Sequence, residues 1–274
     1  MAFIESQLRK FIRIFRLQIT RLPKPSLPVH GDVEWLRDFP RFTSTQVTLF
    51  GRPFRIVDSL SFYYSYTEIF IRDIYKFNAR SPEPYIIDCG ANCGASIIYF
   101  KRLYPKARVV AFEPDPYIFG ILESNIMAFG LQDVKLFNCA LWHSETSLPF
   151  VPTKADTGRV VSEPTQSSIN VSTVPLSSYL DQPVDILKVD VEGSEVDILT
   201  RTPNLDRALY LFVEYHSFKA RPQRLHELLQ VLTENGFRYQ IHTQFSSRTP
   251  FVRIECQSGV DLQLNIFAYR NTSF

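Results

Sequence analysis

Residues 85–96 read YIIDCGANCGAS and decide the fold of this chain. A short apolar run ends at Asp88, a turn with Gly90 and Gly94 follows, and residues 95–103 have the apolar spacing of a helix. A buried strand, a glycine-containing turn and a helix are typical of the first unit of a parallel βαβ sheet. Open sheets of this kind bind ligands at the carboxyl ends of their strands, so the residues at those ends are the candidate site residues.

The same alternation of apolar runs and helices continues toward the carboxyl terminus. Further strands are predicted in VVAFEP, VKLFNCAL, VDILKVD and LYLFVEYH, and helices over about 116–129 and in the Leu-rich segment before Asn235 and Gly236. FRYQIH and LQLNIFAY follow one another without a helix between them, which predicts an antiparallel hairpin. The predicted fold class is therefore α/β, with a Rossmann-like, mostly parallel sheet, a C-terminal antiparallel hairpin and an N-terminal helical extension.

The chain upstream of this sheet is predicted to have two parts. Residues 1–22 carry apolar side chains on one helical face and five basic side chains against one acidic one, which indicates an amphipathic helix. Such a helix packs on the main domain, or it docks on a membrane surface or a second subunit. The expected organisation is an N-terminal helix with a Pro-rich linker (1–45) and one main domain (46–274), made of an accessory hairpin and helix (46–84, helical over 61–77) and the sheet core (85–274).

Composition excludes several classes of protein. With 274 residues, of which 45% are hydrophobic and 21% charged, the chain has the composition of a globular protein and not of a disordered one. A net charge of +2 is too balanced for a dedicated nucleic-acid binder, so no nucleic-acid partner is expected. The four cysteines form no C-x-x-C pair, which favours a reduced, cytoplasmic setting, and no apolar run approaches the length of a membrane span.

The charge in the first turn narrows the choice of ligand. Asp88 stands where a dinucleotide-binding loop has its first glycine. A carboxylate there repels a pyrophosphate and attracts a cation, which favours a positively charged nucleoside such as S-adenosylmethionine. Glu113, at the end of the second strand, can accept hydrogen bonds from both ribose hydroxyls. Cys139 and Ala140 are small enough for an adenine ring to lie against them, although a simple continuation of the third strand explains them equally well.

Two further strands end in ionisable residues. Lys188 and Asp190 share one face at the end of the fourth strand, which indicates a polar cavity or, for Lys188, an internal ion pair. Glu214 and His216 share one face at the end of the fifth strand. His216 is the candidate general base, with Glu214 orienting its ring, and a satisfied buried histidine is the alternative. Glu192 is interpreted as a cap or first-turn acid of the following helix.

A metal site is a weaker hypothesis for the same edge of the sheet. Asp190, Glu214 and His216 offer oxygen and nitrogen ligands for a divalent cation. Such a cation could lower the pKa of an acceptor hydroxyl. No ligand spacing in the sequence demands a metal, so none is assigned.

Taken together, these motifs resemble those of the FkbM-type methyltransferases. DCGANCGAS, AFEPDP, NCAL, LKVDVEGSE and EYH occur in the same order and at similar spacing, over roughly residues 85–237. The resemblance implies a Rossmann-like class I methyltransferase fold and S-adenosylmethionine as cofactor. It further implies O-methylation of a small-molecule or glycan acceptor, such as a sugar or another natural product.

The resemblance also implies roles for particular residues. Glu113 would hold the ribose, and Asn138 and Ala140 would lie near the adenine. Glu68 resembles an acid found upstream of the core in this family. The residues implied for the methionine portion are Asp88, Gly90, Asn92, Gly94 and Ser96. The residues implied to face the methyl acceptor are Asp190, Glu214 and His216.

The expected reaction is in-line methyl transfer to a hydroxyl, with His216 as the base and Asp190 positioning the acceptor. The polar stretch 153–173 is expected to cover the acceptor pocket. One alternative is an NAD-dependent oxidoreductase on the same kind of sheet. Another is a non-catalytic module of the same fold, docked to a membrane or to a partner. Asp88 disfavours the first alternative, and the intact motifs disfavour the second.

Overall fold

The computed structural model describes residues 33–153, 155, 157–161 and 163–270. The amphipathic helix predicted over residues 1–22 lies outside these ranges, as does the first part of the Pro-rich linker. Within the described ranges, no helix is both long enough and apolar enough to cross a membrane.

Strands and helices alternate along the described chain. In chain order the strands are β1 (Thr45–Leu49), β2 (Arg52–Ile56), β3 (Tyr85–Cys89), β4 (Arg108–Phe112), β5 (Val134–Phe137), β6 (Ala140–Trp142), β7 (Thr146–Val151), β8 (Arg159–Val160), β9 (Ile169–Pro175), β10 (Val184–Val189), β11 (Ala208–Phe218), β12 (Arg238–Ser246) and β13 (Val260–Tyr269). The α-helices are α1 (Ser59–Tyr66), α2 (Ala95–Leu103), α3 (Pro116–Ala128), α4 (Glu195–Leu199) and α5 (Leu225–Glu234). Short 3-10 helices cover Glu34–Arg37, Leu176–Tyr179 and Leu205–Arg207.

A seven-stranded sheet forms the centre of the molecule, in the order β12-β13-β11-β10-β3-β4-β5. The strands from β11 to β5 in this order run parallel, whereas β13 is antiparallel to both β11 and β12. The predicted parallel sheet with a C-terminal antiparallel hairpin is therefore confirmed. The chain runs outward from β3 to β5 on one side and from β10 to β11 on the other. The ends of β3 and β10 thus flank the point where the strand order reverses, which is where open α/β sheets bind ligands.

The accessory segment before the sheet packs on the same core. β1 and β2 form the predicted antiparallel hairpin. Phe54 of this hairpin lies in one apolar cluster with Ile97 of α2 and Leu122 of α3. A second apolar cluster, with Leu187 and Leu228, covers the opposite face of the sheet. Because both faces are covered, the parallel strands appear in the sequence as continuous apolar runs.

The aromatic helix after the hairpin is shorter than the predicted segment 61–77. α1 ends at Tyr66 and continues as a π-helical turn over Thr67–Ile71. Asp73 then has a φ of 55°, a left-handed conformation that a right-handed helix cannot continue through. Tyr75 therefore follows the helix in an irregular segment, where it is buried.

A second, four-stranded sheet in the order β6-β9-β7-β8 is absent from the sequence prediction. VKLFNCAL, interpreted as one strand, divides into β5 of the large sheet and β6 of the small one. The polar stretch 153–173 contains β8 and most of β9. β8 has only two residues, and β7 and β9 mix polar with apolar residues and each contain a proline. They therefore lack the continuous apolar runs that mark the strands of the large sheet.

The turn between β3 and α2 brings two backbone segments into contact. Gly90 has a φ of +87°, in the left-handed region. A Cβ atom at this position would lie 1.8 Å from the carbonyl oxygen of Asp190, which follows β10. Gly90 is therefore required both for its conformation and for the close approach of the two strand ends.

Replacing Gly90 by alanine is expected to destabilise the protein. The added methyl group has no room beside Asp190, so Gly90→Ala should lower the free energy of unfolding by about 2–5 kcal/mol in urea denaturation. Gly120→Ala in α3 is the matched control, because a Cβ there has no neighbour within 4 Å. Wild-type stability of Gly90→Ala would contradict this account of the turn.

Candidate active site

A cavity of about 680 Å³ opens at the carboxyl ends of β3, β4, β10 and β11. This volume lies in the range of roughly 300–1,000 Å³ that is common for small-molecule sites. Strand ends that are distant in sequence thus meet in one place. The sequence-predicted site residues that line the cavity are Gly90, Asn92, Ser96, Glu113, Ala140, Asp190, Glu214 and His216.

Three predicted site residues do not line this cavity, contrary to the expectation. Asp88 is fully buried behind the wall, with its carboxylate bonded to protein groups. Gly94 packs against α3, since a Cβ atom there would lie 2.7 Å from a leucine side chain of that helix. Asn138 is exposed, and its amide donates to the carbonyl oxygen of Glu113 at 2.8 Å. These residues shape the turns around the cavity from outside it.

Lys188 joins the ends of β3 and β10 at the base of the cavity. Its ammonium lies 3.1 Å from a carboxylate oxygen of Asp88 and 3.4 Å from one of Asp190. It also donates to the carbonyl oxygen of Gly90 at 2.8 Å. Burial alone would lower the pKa of Lys188, but the two carboxylates raise it well above its ordinary value. Lys188 is therefore charged, and the internal ion pair that the sequence left as an alternative is confirmed.

Glu113 provides a carboxylate at the part of the cavity next to β4. Its oxygens accept the backbone N–H groups of Asn92, at 3.0 Å, and of Asp115, at 2.9 Å. Burial raises the pKa of Glu113 to about 7. A carboxylate has about four acceptor positions, so Glu113 can still accept hydrogen bonds from ligand hydroxyls.

The wall near Glu113 is largely apolar. Ile118 of α3 lines it together with Cys139 and Ala140. Cys139 and Ala140 do not simply continue the third strand, because β5 ends at Phe137 and Ala140 begins β6. A carboxylate beside an apolar wall suits a nucleoside, whose sugar is polar and whose base is flat and largely apolar at its faces.

His216 is held by a different carboxylate from the one predicted. Its Nδ1 lies 2.9 Å from the carboxylate of Glu195, the first residue of α4. Its Nε2 faces Glu192 at 3.5 Å and Glu214 at 4.0 Å. The prediction that Glu214 orients the ring is therefore wrong, because a shorter bond to Glu195 arrives from the neighbouring helix.

The surrounding carboxylates also set the charge of His216. Burial would lower the pKa of the imidazole, but Glu192 and Glu195 raise it well above its ordinary value. These carboxylates therefore favour the doubly protonated form of the ring. An imidazolium has no lone pair with which to accept a proton, which opposes the predicted role of His216 as base.

At Glu214, the effects on the pKa favour the neutral form of the side chain. Burial and the nearby carboxylate of Asp190 raise its pKa to about 8, although the charge of His216 lowers it. The carboxylate accepts a hydrogen bond from the amide of Gln263 in β13. Glu214 thus lines the cavity with a pKa close to neutral pH, which is the property expected of a general base.

Sequence reasoning assigns no site role to two acids that line this cavity. Glu192, interpreted as a helix acid, precedes α4, lines the cavity and has a φ of 56°, which is uncommon for a glutamate. Its position before Gly193 in DVEG was the available signal. Glu68, assigned from a loose resemblance only, also lines the cavity and accepts the amide of Gln244 from β12. Nothing in the sequence pairs residues so far apart.

The candidate metal ligands also differ from those predicted. Asp190, Glu192 and His216 each offer one ligand atom, and these atoms lie within 4.8 Å of one another. Glu192 therefore replaces Glu214 in the predicted set of ligands. The three residues could hold a divalent cation through two carboxylates and a deprotonated nitrogen of His216.

The charge of His216 can be measured directly. We expect nuclear magnetic resonance of imidazole-labelled protein to show His216 doubly protonated at pH 7, since nearby carboxylates stabilise its cation. Glu195→Gln should lower its pKa by removing the nearest negative charge. The exposed His242 serves as the control resonance. A neutral His216 at pH 7 in the wild type would contradict this electrostatic account.

The sheet order, the turn after β3 and the acids at the strand ends define a class I, Rossmann-like methyltransferase domain. A family model described as "Methyltransferase FkbM domain" matches residues 88–239, a little over half of the chain. The chain belongs to the FkbM family of S-adenosylmethionine-dependent methyltransferases. The family resemblance inferred from the motifs is thereby confirmed.

Individual relatives are moderately similar. Methyltransferase sdnD of Sordaria araneosa is 30% identical, over 52% of this chain and 72% of its own length. The 2-O-methyltransferase NoeI of Sinorhizobium fredii is 26% identical, over 50% of this chain and 65% of its own length. A crystal structure of an FkbM methyltransferase from Methylobacillus flagellatus aligns with 76% of this chain and 50% of its own, with 17% identity and a TM-score of 0.49.

Proposed function

We propose that this chain transfers a methyl group from S-adenosylmethionine to a hydroxyl oxygen of a sugar, glycan or other natural product. The observation that carries the proposal is a single cavity with two distinct acidic regions. Glu113 lies beside an apolar wall in one region, and Asp190 and Glu214 lie in the other. The first suits the adenosine of a nucleoside, and the second suits a cationic donor next to a hydroxyl acceptor.

The residues present fit S-adenosylmethionine. Glu113 would accept the ribose hydroxyls, while Cys139 and Ala140 would border the adenine. The carboxylate of Asp190 lines the cavity beside the first turn, where negative charge favours a cation. When bound, the cofactor supplies a methyl group that is already activated by a sulfonium charge.

The side chains of the protein would position the acceptor and take up its proton. Glu214 would accept the proton of the acceptor hydroxyl, in place of the predicted base His216, because the carboxylates around His216 favour its protonated form. The imidazolium of His216 is held by Glu195 and would place a positive charge beside Glu214. Asp190, fixed by Lys188, would position the acceptor.

Two carboxylate–amide pairs favour a polyhydroxyl acceptor. Gln244 donates to Glu68, and Gln263 donates to Glu214, and all four side chains line the cavity. Such pairs offer both donors and acceptors, which is what neighbouring hydroxyl groups require. The name of the relative NoeI, a 2-O-methyltransferase, points in the same direction. The stretch 153–173 would cover this acceptor, since Thr157 and Val160 border the cavity.

The NAD-dependent alternative is less compatible with the first turn. A dinucleotide places its pyrophosphate on free backbone N–H groups. The N–H groups of Gly90 and Ala91 donate to Phe112, and that of Gly94 donates to Ala91. These three N–H groups are therefore not available to a phosphate, and Asp88 lies directly behind the turn.

Cofactor binding tests the proposal through Glu113. We expect calorimetry to show micromolar binding of S-adenosylhomocysteine that strengthens as the pH rises through about 7, because the ionised carboxylate accepts ribose hydroxyls better than the acid. Glu113→Gln should weaken binding by roughly tenfold or more and remove most of the pH dependence. The exposed Glu123 provides the control variant Glu123→Gln. Absence of binding to the folded wild type would overturn the proposal.

An assay of methyl transfer tests the proposed role of Glu214 as the base. With labelled S-adenosylmethionine and a panel of methyl glycosides, we expect label on oxygen. The rate should rise with pH through about 8, where Glu214 is half ionised, and level off above it. Glu214→Gln should lower the rate by roughly 10²–10⁴-fold and abolish this rise. Transfer of the label to nitrogen or carbon, or an unchanged pH profile in Glu214→Gln, would refute the assignment.

A further inference from the structure

Tyr75 is a polar residue of the cavity wall that the proposed reaction leaves unused. It is only 4% exposed, yet it lines the cavity. Its ring packs edge-on against Phe212, with centroids 4.9 Å apart, and lies 5.8 Å from Phe100. Among the residues that the structure describes, none forms a hydrogen bond with its hydroxyl. A buried hydroxyl without a protein partner at the wall of a cavity indicates a ligand partner.

The neighbours of Tyr75 place it in the part of the cavity next to the first turn. The ammonium of Lys188 lies 5.9 Å from the centre of its ring, and Lys188 bonds the carbonyl oxygen of Gly90. Glu113, which would hold the ribose, follows β4, one strand further from β10. Tyr75 is therefore on the side of the cavity where the methionine end of S-adenosylmethionine would lie.

The hydroxyl of Tyr75 is a hydrogen-bond donor. Burial and the carboxylate of Asp190 raise the pKa of Tyr75 well above its ordinary value, although Lys188 lowers it. The phenol therefore keeps its proton at neutral pH. The methionine end carries an α-carboxylate, which needs such donors.

The donors of the turn after β3 are already engaged. The N–H groups of Gly90, Ala91, Asn92, Cys93 and Gly94 all donate to oxygens of the protein. Lys188 has three N–H groups and three oxygen neighbours, on Asp88, Asp190 and Gly90. The first turn of α2 has N–H groups without helical partners, and Tyr75 adds a side-chain donor.

We propose that the Tyr75 hydroxyl donates a hydrogen bond to the α-carboxylate of S-adenosylmethionine. This inference rests on the proposed function, since it requires this cofactor in this cavity. It makes Tyr75 a cofactor-binding residue from the segment before β3, outside the turn and strand ends that the sequence motifs mark. The binding site for the amino-acid end of the cofactor is then built from two segments of the chain.

Binding of two matched ligands to Tyr75→Phe tests the proposal. S-adenosylhomocysteine and 5′-methylthioadenosine are both neutral at sulfur, and the second lacks the amino-acid group. The substitution keeps the ring that packs on Phe212 and removes only the hydroxyl. Tyr66→Phe is the matched control, because the Tyr66 hydroxyl is also buried without a hydrogen bond within the described residues, and Tyr66 does not line the cavity.

We expect Tyr75→Phe to weaken the binding of S-adenosylhomocysteine by about ten- to hundredfold in calorimetry. This is the usual effect of losing a hydrogen bond to a charged group. Tyr66→Phe should bind as the wild type does. Methylthioadenosine, measured directly or by displacement, should bind wild type and Tyr75→Phe alike. Unchanged S-adenosylhomocysteine affinity, or an equal loss for both ligands, would overturn the inference while leaving the proposed function intact. Absence of binding to the wild type would instead remove the proposed function.

Discussion

The buried ammonium of Lys188 is the interaction on which the rest of the site depends. It lies opposite Asp88 in the register of two parallel strands, and its other partners are Asp190 and the carbonyl oxygen of Gly90. A charge buried this deeply is tolerated only when its partners are in place. The ends of β3 and β10 are therefore held together, and this fixes the first turn. Ser96 completes the arrangement by donating to the second oxygen of Asp88.

The strand ends could be predicted from the sequence, but the direction of each side chain could not. Continuous apolar runs located β3, β4, β10 and β11, and parallel topology then required their carboxyl ends to meet. Whether a charge at such an end points into the cavity or into the sheet depends on its neighbours across the sheet. Asp88 points inward because Lys188 stands opposite it, whereas Glu113 borders the cavity. No pattern along the chain distinguishes these two acids.

The roles of Glu214 and His216 also depend on contacts that the sequence does not reveal. Alternation along β11 correctly placed both on one face, and both line the cavity. The carboxylate that fixes the imidazole, Glu195, comes from α4 on another part of the chain. Three carboxylates around one imidazole favour its cation, while burial favours the neutral form of Glu214. The proton affinities of the two groups are thus set by tertiary contacts and not by residue type.

The two sides of the cavity are built from separable parts of the chain. The turn after β3 and the end of β4 form one side, whereas Gln244 and Gln263 come from the C-terminal hairpin and Thr157 from the connection before β8. The loop of that hairpin is exposed at Phe251 and Val252, so changes in its length or sequence need not disturb the buried core. In evolution, this division would let the acceptor side diverge among related enzymes while the opposite side stays under constant selection.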